Sequence, residues 1–228
     1  MYTIQIGSLV LNGQIILLFA FGWFGWAVMR SYIRKLSTED NYGTIAFNAF
    51  IIWFLVWKGS PLMFDPLQTI KHPTSLLYFD GGVLGQWIAS IVASLYVAYR
   101  TWKGSMSWKS TVEAASAFIL GGIAFYHIGL VWFEGGIWLF HTSYAVLALG
   151  TLFSLFIVKQ PAHLKSILQR WQWFSIGLTF LWFLNPERTL LILSFSSEQV
   201  CSLAMGIILS MFLWLYIDQP NNGKRGNH

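Results

Sequence analysis

Two histidines carry the chemistry that this sequence offers most directly. A neutral imidazole both accepts and donates a proton near neutral pH, with an unperturbed pKa of about 6.5. His127 stands in Tyr126-His127-Ile128-Gly129, about one helical turn inside an apolar run. A titratable group at that depth is costly in a membrane and reads as functional by default. The competing reading is a neutral, hydrogen-bonded packing residue. Glu134 follows His127 by two helical turns, so the two side chains point to nearly the same side of a helix. His141 and Tyr144 open the next apolar run, in His141-Thr142-Ser143-Tyr144, where they would face the same place. Arg188 is suited to an anionic headgroup, or to pairing with Glu187 or Glu198. A further acid, Asp80, stands at the head of Asp80-Gly81-Gly82-Val83-Leu84-Gly85.

The elements that must position these groups are membrane helices. The chain has 228 residues, of which 56% are hydrophobic and only 10% charged, with 13 Trp and 9 Tyr. A soluble domain carries roughly 25% charged residues. A mean hydropathy of +0.57 agrees, and amphipathic aromatics suit the membrane–water boundary. Crossing the hydrocarbon layer takes about 20 mostly apolar residues. Runs of that kind cover 9–29, 81–99, 112–133, 137–158 and 200–217, and shorter ones cover 45–57 and 171–184. The expected fold is all-α and polytopic, with about seven transmembrane helices. Residues 1–217 form a single transmembrane domain, and 218–228 a polar cytoplasmic tail.

Loop charges set the orientation. Arg30, Arg34, Lys35, Arg100, Lys103, Lys109, Lys159, Lys165, Arg170, Lys224 and Arg225 fall on one side, and only Lys58, Lys71 and Arg188 on the other. That asymmetry puts the N-terminus outside and the C-terminus in the cytoplasm. Asp80, His127, Glu134, His141 and Arg188 then all belong to the outer half, as does the long loop 58–80. The net charge of +5 is a topology signal and calls for no nucleic acid.

Gly81, Gly85, Ala89 and Ala93 recur every fourth residue and form a small-residue stripe that lets another helix approach. Asp80 before it reads as an N-cap. The Gly81–Gly82 turn would also expose backbone N–H groups to an anion such as a lipid phosphate. Glu113 reads as a helix-start charge at the cytoplasmic end of its run. The single cysteine, Cys201, lies in an apolar run and reads as packing, which leaves no disulfide or cysteine cluster. No metal-ligand spacing, nucleotide loop or transporter-type repeat is present, so no metal and no cofactor are expected.

The order of these motifs resembles the prolipoprotein diacylglyceryl transferase family, loosely and over most of the chain. Asp65-Pro66-Leu67 is similar to the family's Asp-Pro element. Phe79-Asp80-Gly81-Gly82-Val83-Leu84-Gly85 resembles its His-Gly-Gly-Leu motif. Residues 122–135 resemble its Gly-Arg-x-Gly-Asn-Phe signature, and His141-Thr142-Ser143 its His-Pro-Ser element. Ser196-Ser197-Glu198-Gln199-Val200-Cys201-Ser202-Leu203 is similar to its closing Ser-x-x-Gln-x-x-Ser-Leu segment. The resemblance implies a seven-span protein of the bacterial cytoplasmic membrane. Its reaction moves diacylglyceryl from phosphatidylglycerol to the cysteine thiol of a prolipoprotein signal peptide. Phospholipid and that peptide are the implied partners. The resemblance makes His127, His141, Asp80 and Glu134 the catalytic candidates, and Asn12, Gly81, Gly82, Tyr144 and Arg188 the substrate-binding ones. Several positions depart from the family pattern. Asp80 stands at the motif histidine, His127 at the signature arginine, Leu130 at its asparagine and Asn12 at an early tyrosine, and the Arg-Phe-x-x-Glu element has no counterpart in 180–184. A second expectation is therefore a non-catalytic lipid- or lipoprotein-binding module of the same fold.

Overall fold

A computed structural model describes residues 3–6, 9–35, 41–71, 81–104, 107–133, 137–157, 163–192 and 194–217. Asp80, Glu134 and the tail 218–228 lie outside the described residues. The described residues are all-α apart from two short hairpins, and five of the helices among them are long and apolar enough to cross a membrane. They are α1 (Gly13–Lys35), α5 (Gly82–Lys103), α6 (Trp108–Phe133), α7 (Trp138–Ile157) and α9 (Ser197–Phe212), which continues in a π-helical turn, Leu213–Ile217. Their outward faces are greasy. On α5, Val83, Leu84, Trp87, Ile91 and Leu95 are all exposed along one side. An apolar surface of that extent has no place in water and suits lipid. The chain thus has the architecture of a multi-pass helical membrane protein.

Two further long helices, α2 (Asn41–Gly59) and α8 (Leu164–Leu181), fall on the two shorter apolar runs. At 1.5 Å per residue they extend about 28 and 27 Å. Polar residues punctuate both. Asn48 lies mid-helix in α2, and Lys165, Gln169, Arg170 and Gln172 occupy the first half of α8. The segment expected as a long outer loop contains two short helices, α3 (Pro61–Phe64) and α4 (Pro66–Lys71). At the other end of the chain, residues 9–12 do not open the first span. They form β2 (Leu9–Asn12), paired antiparallel with β1 (Thr3–Ile6) so that Thr3 faces Asn12. The alternation Thr3-Ile4-Gln5-Ile6 has the two-residue period of a strand.

The described chain divides into two compact units, 1–122 and 123–228. In the first, α5 packs along α2. Trp53 Nε1 donates to Ser90 Oγ at 3.1 Å and Asn48 Nδ2 to Tyr96 Oη at 3.3 Å. α1 meets α6 through Gly25, where an added Cβ would lie 2.6 Å from the Phe118 carbonyl oxygen. In the second unit, α8 and α9 form an antiparallel pair and α7 packs on α8. A short hairpin of β3 (Leu190–Ile192) and β4 (Phe195–Ser196) leads into α9.

Candidate functional site

The second unit brings together the residues with the most chemistry. The last turns of α6 carry His127, and the first two turns of α7 carry Phe140, His141 and Tyr144, with Tyr144 four and three residues after the other two, so that it shares their side of the helix. His127 Nδ1 lies 3.0 Å from His141 Nδ1, a hydrogen bond in which one ring donates and the other accepts. Tyr144 stacks flat on His127, with ring centroids 3.8 Å apart and planes 9° from parallel. Phe140 meets His127 edge-on at 6.2 Å, and Phe174 of α8 meets Tyr144 at 6.4 Å. His141 is 5% exposed, Phe140 4% and Phe174 3%, while His127 and Tyr144 are half-buried. The two imidazoles are therefore a hydrogen-bonded pair in an aromatic box. His127 is its more accessible member.

The rings continue away from the pair. Phe140 also packs on Trp182 at 5.0 Å, in the 3-10 turn Trp182–Leu184 that ends α8. Phe183 in the same turn carries the Arg188 guanidinium 4.7 Å above its face. Arg188 is half-buried, and its Nη1 is buried with no hydrogen-bond partner among the described residues. Such a cationic nitrogen is well placed to take an anionic oxygen. No group of three or more His, Cys, Asp or Glu suited to a metal occurs among the described residues.

Other expected site residues have a packing use. The N-cap of α5 is Gly81, with no side-chain cap, so the helix starts one residue later than an Asp80 cap would require. Gly82 has φ +56°, in the left-handed region that glycine tolerates best. The Gly81 N–H donates to the Trp57 carbonyl at 3.3 Å, and Ser60 Oγ donates to that same carbonyl at 2.7 Å. A Cβ at either Gly81 or Gly85 would run into Ser60 Oγ. Gly85 and Ala89 are buried, as the small-residue stripe anticipates. Asn12 ends β2 at the mouth of α1.

Two readings of single residues change. Glu113 is not a solvated helix-start charge, because α6 begins at Trp108 and Glu113 is 1% exposed. It accepts a hydrogen bond from Tyr32 Oη of α1 at 3.1 Å, and Tyr32 is also 1% exposed. The sequence signal was a lone acid one turn past Lys109 with apolar residues on both sides. Cys201 is exposed on α9 rather than packed inside.

The Ser-x-x-Gln-x-x-Ser segment has a complete mechanical explanation. Ser196 caps α9 in a reciprocal box: Gln199 N donates to Ser196 Oγ at 3.4 Å, and Ser196 N to Gln199 Oε1 at 2.8 Å. Gln199 Nε2 then reaches across to the Thr179 carbonyl of α8 at 3.2 Å. One turn on, Ser202 Oγ lies 2.9 Å from Thr179 Oγ1, and further along Gln172 Nε2 donates to Ser210 Oγ at 2.8 Å. These bonds bind α8 to α9 where apolar burial alone gives little in lipid. No protein-family model matches the chain, and no curated protein matches it.

Proposed function

We propose that this chain is a diverged diacylglyceryl transferase-like protein of the bacterial cytoplasmic membrane. Its seven spans include α2 and α8, with the N-terminus outside and the C-terminus in the cytoplasm. The His127–His141 pair, joined at 3.0 Å, carries the reading. The reaction needs a base, because a free thiol with a pKa near 8.5 is mostly protonated at neutral pH. His127 or His141 takes the thiol proton. The thiolate sulfur bonds to the diacylglycerol carbon, the C–O bond to phosphate breaks, and glycerol phosphate leaves. The buried Nη1 of Arg188 supports its role as the cation that holds the departing phosphate. Asp80, Glu134, Asn12 and the Gly81–Gly82 turn are the further candidates that the family resemblance supplies. The test is transfer of radiolabelled diacylglyceryl from phosphatidylglycerol to a lipobox peptide by the purified protein. Labelled peptide is expected. Its absence, at a sensitivity that detects a known transferase, refutes the reading.

A specific observation favours the alternative, a non-catalytic lipid- or lipoprotein-binding module. The Gly81 N–H and the Gly81–Gly85 surface are engaged with Trp57 and Ser60. In that case His127→Ala leaves the cellular phenotype intact, and a bulky residue at Gly85 or Ala89 abolishes it.

A further inference from the structure

We propose that His127 and His141 form a tautomer-locked proton relay: one ring takes a proton at Nε2 while the other releases one from its own Nε2. The proposal rests on the acid–base reading of the same pair and specifies how that pair moves protons. The argument follows from which atoms meet. The contact joins Nδ1 to Nδ1 at 3.0 Å. A neutral imidazole has one N–H and one lone pair. If the first ring donates from Nδ1, its Nε2 must hold a lone pair. The second ring then accepts at Nδ1, so its proton must sit on Nε2. The bond therefore makes one outer nitrogen a base and the other an acid, and neither ring changes tautomer alone.

The step balances without any further reagent. A proton from the substrate thiol bonds to Nε2 of the first ring. The Nδ1–H bond of that ring breaks as its proton bonds to Nδ1 of the second. The Nε2–H bond of the second ring breaks, and that proton goes to the leaving phosphate or to water. Both rings end neutral with their tautomers exchanged, and the reverse transfer resets them. A phosphate diester that becomes a monoester gains a negative charge, so the thiol's proton has an acceptor among the products. His127, the more accessible ring, is the substrate-side member, and His141 is the inner one.

Tyr144 is a positioning residue for this relay. Its ring lies parallel to His127 at 3.8 Å, and Phe140 closes the adjacent edge. Both contacts fix the plane in which His127 Nδ1 can point at His141.

The experiment is nitrogen-15 NMR of histidine-labelled full-length protein in phosphatidylglycerol-containing nanodiscs. Single substitutions H127Q and H141Q assign the two rings. One ring is expected with its proton on Nδ1 and the other with its proton on Nε2, with a scalar coupling across the Nδ1···Nδ1 bond. That coupling should vanish in H127Q and in H141Q, persist in Y144F, and weaken in Y144L. Protons on Nε2 of both rings, or no coupling between the two Nδ1 atoms, would overturn the relay. So would a link between the rings that a chelator abolishes, since an ion would then be holding the two nitrogens. An unchanged coupling in Y144L would overturn the positioning role. The coupling is read without the acceptor peptide, so its presence in a protein that transfers no lipid refutes the transferase and leaves the relay. Its absence in an active protein refutes the relay alone.

Discussion

Substituting Gln199 separates a load carried by hydrogen bonds from one carried by packing. Its side chain is fully buried and makes two bonds, one to Ser196 N at 2.8 Å and one to the Thr179 carbonyl at 3.2 Å. Each is worth about 0.6–1.5 kcal/mol, taking the membrane average as the floor. Gln199→Ala also leaves the buried Ser196 N–H without its acceptor, which costs about 1–3 kcal/mol more. The total is on the order of 2–6 kcal/mol. For a chain of this size, about 3 kcal/mol lowers Tm by roughly 6–12 °C. Gln199→Leu fills most of the volume but offers neither bond, so Q199L should melt nearly as low as Q199A. Gln199→Glu keeps the acceptor for Ser196 N and should fall between them and wild type. Circular dichroism melts in one detergent, with the three variants side by side, provide the comparison. If Q199L restores the wild-type Tm, or if Q199A loses less than about 1 kcal/mol, the capping box and the bridge to α8 are not what holds this helix pair together.

Three further outcomes follow from the geometry. Gly85→Leu places a side chain on Ser60 and Trp57 and should cost about 1–3 kcal/mol; Ser60→Gly in the same chain should recover part of that in the same melting assay. Tyr32→Phe removes a donor to the buried Glu113 carboxyl and should lower stability by about 1–3 kcal/mol, whereas a distant exposed change such as Trp173→Phe should not. Topology reporters fused to each end should place the N-terminus outside and the C-terminus in the cytoplasm, and two reporters on the same side would remove the seven-span arrangement.

The sequence made the helices legible because a run of apolar residues long enough to cross lipid has few other uses. It gave α1, α5, α6, α7 and α9 to within a few residues at most ends. The start of α8 was missed by seven residues, since Lys165, Gln169 and Arg170 interrupt the hydropathy without interrupting the helix. The β1–β2 hairpin was missed because Leu9–Asn12 is apolar enough to read as the start of a span. His127, His141 and Tyr144 were legible as candidates for one cavity from the order and depth of their spans, but the atoms that meet were not. A contact between two Nδ1 atoms depends on ring rotations that sequence spacing leaves open. Glu113 was misread because hydropathy gives depth along a helix and not which face the residue takes, and here that face turns onto Tyr32.

The central claim is that the His127–His141 pair is the acid–base centre of a lipid-transfer reaction. Its most direct test is the diacylglyceryl transfer assay run in parallel on wild type and H127Q, with both shown to melt alike. General acid–base catalysis contributes about 10²–10⁴-fold, so product from H127Q is predicted to fall by at least about 100-fold. Equal product from the two proteins, or no product from either, would contradict the account.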